Sequence, residues 1–106
     1  MIKEEIEKIV AKLEVTDMEN YLAKAPLIAK EIDLFSKDIQ ETISFLKNDC
    51  TGRQFVWMSE VFDEIVEKTN SREFIEVLKE TVKKFPNENK EFYLDSSIQS
   101  AEEYLK

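Results

Sequence analysis

One glycine and two prolines are spread over 106 residues, and this scarcity constrains the fold more than any other feature. Sheet proteins place glycine, proline, asparagine and aspartate at many tight turns, and the supply here is too small for an all-β chain. Apolar residues recur instead at helical spacing. Ile2, Ile6, Ile9, Val10 and Leu13 do so over residues 2–15, with Glu4, Glu5 and Glu7 near the positive end of the helix dipole. Thr16 and Glu19 form a capping-box pattern that opens a second helix through Met18, Tyr21, Leu22 and Ala25, interrupted at Pro26. Ile28, Ile32, Phe35, Ile39, Thr42 and Leu46 then alternate four and three apart, the pattern of one long helix.

The stretch "NDCTG" closes that helix. Gly52 suits a left-handed position after a helix end, and Asn48, Asp49 or Thr51 can cap the next helix. Cys50 fits as a small apolar group at that end. A third helix near residues 54–69 sets Phe55, Met58, Phe62, Ile65 and Val66 on one arc. Asn70 ends it, and Ser71 caps a fourth helix through Phe74, Ile75, Leu78, Val82 and Phe85, which Pro86 stops. "NENKEFYLD" reads as a loop or short turn whose Phe92, Tyr93 and Leu94 pack inward. Asp95 or Ser96 then caps a last helix through Ile98, Ala101, Tyr104 and Leu105. Tyr21, Tyr93 and Tyr104 fall at core positions of this pattern.

These spacings predict a single all-α domain over residues 1–106, built of five or six short helices. The turn between the third and fourth helices makes an antiparallel helical hairpin. A few such hairpins stacked side by side form a short solenoid-like array; the alternative is an irregular helix bundle, because no sequence repeat is visible.

Chemistry is limited by what the chain lacks. With no histidine there is no Ser-His or Cys-His pair and no imidazole metal ligand. One glycine cannot build a phosphate-binding loop. Cys50 lies near Arg53, which favours a thiolate, but no general base accompanies it. Hard cations prefer carboxylates converging from loops, and the acids here lie on helices. The expectation is a protein without catalytic residues, cofactor or metal. A lone cysteine forms no internal disulfide and suits a reducing compartment. "MIKEEIEKIV" does not resemble a signal peptide, and no apolar run approaches the roughly 18 residues of a membrane span. These features point to the cytoplasm and away from membranes.

A net charge of −8 opposes nucleic-acid binding, which depends on lysine and arginine clusters. It favours encounter with a basic protein. Glu60, Asp63, Glu64 and Glu67 lie within eight residues with no basic residue among them. Like charges four apart destabilise a helix by a few tenths of a kcal/mol per pair, so helix stability does not explain the run. On a continuous helix Trp57 lies beside Val61 and Glu64, and an aromatic flanked by carboxylates suits a basic partner. Trp57, Glu60, Asp63, Glu64 and Glu67 are therefore the candidate partner-binding residues. In the competing reading Trp57 packs into the core and the acids face water. Glu73, Glu76 and Glu80 have Lys79, Lys83 and Lys84 beside them and read as a solvated face.

The segments "RQFVWMSEVFDEIVEKTNSREFIEVLKETVKKFP" and "LDSSIQSAEEYLK" resemble the C-terminal half of small helical bacterial proteins, some of which are immunity proteins that neutralise a toxin. The resemblance implies a HEAT-like stack of helices and a protein partner in place of a substrate. The combined expectation is a cytoplasmic, acidic, protein-binding module, an immunity protein that occludes a basic toxin such as a nuclease. The alternative is a non-catalytic structural or regulatory subunit, acting as a homodimer or within a larger complex.

Overall fold

The computed structural model describes residues 2–16 and 21–106, with the backbone alone of Tyr21. The described residues form eight helices and no strand: α1 (Ile2–Val15), α2 (Tyr21–Lys37), α3 (Ile39–Asn48), α4 (Gly52–Ser59), α5 (Phe62–Thr69), α6 (Arg72–Val82), α7 (Pro86–Phe92) and α8 (Leu94–Glu102). The chain is all-helical, with more and shorter helices than the expected five or six. Met18 and Glu19, and with them the expected Thr16–Glu19 capping box, lie outside the described residues.

The extra helices arise from breaks that apolar periodicity does not show. The expected long helix through Ile28 and Leu46 divides at Asp38, whose backbone is extended (φ −139°, ψ 90°) and whose carboxylate accepts from the Glu41 amide. Aspartate competes well with helical backbone bonds in this way. The buried Thr42 hydroxyl donates to the Phe35 carbonyl at 2.8 Å, so the group released by the break is satisfied. Pro26 does not interrupt α2 but lies within it. Its missing N–H leaves the carbonyl of Leu22 without a helical donor, and Leu22 stands open to water.

A second break, at Glu60 and Val61, separates α4 from α5. The amides of Glu60 and Val61 donate to carbonyls three residues back, those of Trp57 and Met58, and the Ser59 hydroxyl donates to the Val56 carbonyl at 2.5 Å. The turn lets Met58, Val61, Phe62 and Ile65 all face inward. On one continuous helix Val61 and Phe62 point about 100° apart.

Turn chemistry also differs from expectation. Gly52 is the first residue of α4 and has no left-handed backbone. The approach there is close: a Cβ would lie 2.8 Å from Glu88 Oε2 and 3.2 Å from Phe85 Cδ1, so a larger residue would make the Glu88 side chain swing aside and the Phe85 ring shift slightly. The left-handed positions belong to Asn70 (φ 48°) and Tyr93 (φ 55°). Thr51 and Gln54 form a reciprocal capping box on α4, and Ser71 caps α6 through the Phe74 amide. Pro86 both ends α6 and starts α7, since proline suits the first helical position. The expected loop after it is therefore a short helix. Tyr93, not Asp95 or Ser96, occupies the N-cap of α8, while Asn89 Oδ1 accepts from the Asp95 amide at 2.9 Å. Of the three groups expected to pack down, Leu94 is buried, but Phe92 is 48% and Tyr93 73% exposed. Tyr104, expected in the core, is exposed as well.

One apolar cluster joins the helices, from Ile2 on α1 to Ala101 on α8. Phe35, Phe45, Phe55, Phe62 and Phe74 are fully buried. Phe62 contacts Phe55 (centroids 5.4 Å) and meets Phe74 edge-on (6.3 Å), and Phe55 reaches Phe85 (5.7 Å). The consecutive helices α5 and α6 pack most extensively on α8, and α6 also packs on α3.

Two stability measurements test this account. Phe62→Ala is expected to cost about 3–5 kcal/mol in urea denaturation, the range for a large buried aromatic. Tyr93→Gly is expected to stabilise by about 1 kcal/mol, by relieving a left-handed position that a side chain disfavours; a loss of stability would show that the Tyr93 ring contributes contacts outweighing this relief.

Candidate binding cleft

Where α1, α2, α4 and α7 approach one another they leave a cleft of about 800 Å³. Its apolar wall is Leu13, Val56, Trp57 and Phe92; its charged groups are Glu14, Lys24, Arg53, Glu60 and Glu88. Trp57 is held by α4, whose start is fixed by the Thr51–Gln54 capping box. The ring is half-buried and rests against the core cluster. Lys24 Nζ, from α2, lies 5.4 Å from the ring centroid, a cation–π arrangement.

The cleft's charges are unevenly matched. Arg53 pairs with Glu14, and the Glu88 carboxyl leans over Gly52. Glu60, at the C-cap of α4, is open to solvent on one side, but burial by its neighbours raises its pKa while Lys24 opposes the shift. Glu31 of α2 does not line the cleft and has 2% of its surface exposed. Its Oε2 is buried with no hydrogen-bond partner. Burial, reinforced by the charge of Glu60, pushes its carboxyl from 4.5 up to about 8. Glu31 is therefore mostly protonated at neutral pH, which avoids the larger cost of a buried unpaired charge.

The structure brings together only part of the expected set. Trp57 and Glu60 line the cleft. Asp63 turns towards α8, where its Oδ2 accepts from the Ser100 hydroxyl at 3.5 Å. Glu64 and Glu67 are exposed on α5 and do not line the cleft. The break at Glu60 and Val61 removes the continuous helix on which Trp57 and Glu64 were neighbours. Trp57 itself combines both readings, packing on the core and facing a charged cleft. Sequence reasoning missed Lys24, Glu31 and Phe92. Glu31 did leave a signal, as a carboxylate among Ile28, Ile32 and Phe35 on the inward side of α2. On α6, Lys79 and Lys83 pair with Glu76 and Glu80, in keeping with a solvated face.

Cys50 is half-buried, and burial pushes its thiol up to about 12, with Lys84 opposing weakly. The thiolate suggested by Arg53 is thus disfavoured. Among the described residues no group of three or more cysteine or carboxylate side chains is placed to hold a metal ion, and no helix is long and apolar enough to cross a membrane. No protein-family model, curated protein or solved structure matches the chain.

Glu31 gives a pH dependence with a definite sign. Between its ordinary 4.5 and about 8, the folded protein holds a proton that the unfolded chain has released. Stability therefore falls as pH rises through this window, by at most about 1.4 kcal/mol per pH unit. Glu31→Gln is expected to flatten that slope and raise stability at the alkaline end, read by urea denaturation across the window. A slope identical to that of the parent chain would refute the buried, protonated carboxyl. Trp57→Ala is expected to cost about 2 kcal/mol, between an exposed aromatic and the roughly 3–5 kcal/mol of a core one.

Proposed function

We propose that this chain is a non-catalytic, acidic, protein-binding module of the cytoplasm that captures a basic segment of a partner protein in the cleft beside Trp57. The observation that carries the reading is one surface combining an accessible tryptophan, the exposed Phe92 and the carboxyls of Glu60 and Glu88. Aromatic anchors ringed by charge are typical of interface hot spots. Glu64 and Glu67, on the open face of α5, add longer-range attraction, and the net charge of −8 acts in the same direction. A bacterial immunity protein that occludes a basic toxin, such as a nuclease, is the specific form of this reading. The scaffold is read as an irregular bundle in preference to a HEAT-like stack, because α8 packs on α4, α5 and α6 together.

A second reading, self-association as a structural or regulatory subunit, is favoured by the exposed aromatics Phe92, Tyr93 and Tyr104. Light scattering separates the two, since a concentration-dependent dimer that Phe92→Ser dissolves supports self-association.

The binding reading is tested with a fluorescein-labelled arginine-rich peptide. Glu60→Lys with Glu88→Lys is expected to speed dissociation at least tenfold. Glu64→Lys with Glu67→Lys is expected to slow association at low salt and to leave dissociation unchanged. Equal effects of both pairs on dissociation would remove the cleft from the interaction.

A further inference from the structure

Helix α2 is long but lightly held. Of its described side chains only Glu31 and Phe35 are buried, over 17 residues, whereas α6 buries six over 11. Much of its apolar surface stays in water: Leu22 is 87% exposed, and Ala25, Pro26 and Ala29 are exposed as well. Among the described residues none of its charged side chains forms an ion pair. Its firmest anchor is Phe35, whose ring lies 6.5 Å from that of Phe45.

The polar groups that α2 does bury are poorly served. Among the described residues the buried side-chain atoms without a hydrogen-bond partner are Glu31 Oε2 and Ser36 Oγ, and both belong to this helix. A buried polar atom left unpaired has lost its hydration for no return, and such exceptions call for an explanation. The rest of the fold does not lean on α2. The Asp38 carboxylate caps α3 by itself, and the Thr42 hydroxyl that donates to the Phe35 carbonyl has a second acceptor in the Asp38 carbonyl at 3.4 Å. α3 packs on α6, and α8 on α4, α5 and α6, without it.

We propose that α2 is a strap that releases as one unit from an otherwise folded molecule, between α1 and the Asp38 cap, and that its release opens the cleft on the Lys24 side. Water then reaches Glu31 and Ser36, which accounts for two unsatisfied groups on one helix. Lys24 leaves the face of Trp57 in the same motion, so the width of the cleft follows α2 whatever occupies it.

Release returns the Glu31 carboxyl to its ordinary range, so the opened state gives up a proton that the closed state keeps. The charge that bears on Glu31 is Glu60, at the C-cap of α4. On the helices packed against α2, Glu14 of α1 pairs with Arg53, Glu41 of α3 accepts from the Ile2 amide, and Asp63 of α5 accepts from Ser100. The other acids and lysines of these helices and of α2 are exposed, apart from Lys24 over Trp57. Release is therefore expected to become easier as pH rises from 4.5 to about 8, by up to about tenfold per pH unit.

Amide hydrogen exchange, followed by NMR on the full chain and corrected for intrinsic rates, tests the strap. Amides of residues 28–37 are expected to exchange at least about tenfold faster than those in the middle of α6 and α8, because they open below the cost of global unfolding. Their corrected rates are expected to rise between about pH 6 and 8. Glu31→Leu, which puts an apolar group in the buried place, is expected to slow them about tenfold and to remove the pH dependence. Equal protection of α2 and α6 overturns the proposal. Fast exchange in α2 with a flat pH profile overturns it as well, since Glu31 then stays buried while the amides open. Should Glu31→Leu not fold, these two measurements on the parent chain decide.

Discussion

Phe62 touches Phe55 on one side and Phe74 on the other, and those rings belong to α5, α4 and α6. Three helices are tied at one buried point, with α8 packed beneath α5 and α6. Close-packed interiors transmit small changes in shape, so the placement of α4, and with it the Trp57 wall of the cleft, depends on this aromatic junction. The fold has few other clamps. Ion pairs such as Lys79–Glu102 and Lys83–Glu80 are at least partly open to solvent, where such pairs contribute at most about 1 kcal/mol each. Apolar burial holds the molecule together, and the acidic side chains lie mostly on its exterior.

Against that background Glu31 is the departure from a simple amphipathic design. It stands where an apolar residue would satisfy the core, and its burial raises the free energy of the folded state at alkaline pH. The Lys24–Trp57 contact, the desolvated Glu60 and the strained, exposed Tyr93 next to Phe92 lie in or close to the same part of the surface. Local costs gathered in one place are common at sites that act on a partner.

Particular elements show how far the sequence could be read. α1 matches its apolar repeat from end to end, because Ile2, Ile6, Val10 and Leu13 face the core and nothing competes with the helix. The cap at Ser71 and the left-handed Asn70 follow from side-chain chemistry one residue away. The divided helices were not legible. At Asp38 a carboxylate cap replaces helical bonds without disturbing the apolar spacing on either side. At Glu60 and Val61 the break serves contacts with α2 and α8, which are distant in sequence. Trp57 and Glu60 were legible together as candidates because they are close along the chain, whereas Lys24 and Phe92 reach the same cleft only through the packing of α2 and α7.

Composition and periodicity by themselves determined that this chain is helical, strongly acidic, and without histidine. Those properties are sums over residues or short-range repeats, and they hold whatever the packing. Only the tertiary structure decided where helices break, which side chains meet at the cleft, and that one glutamate is sealed in the interior. A carboxyl's charge state depends on the atoms around it, and here those atoms come from helices far apart in the chain.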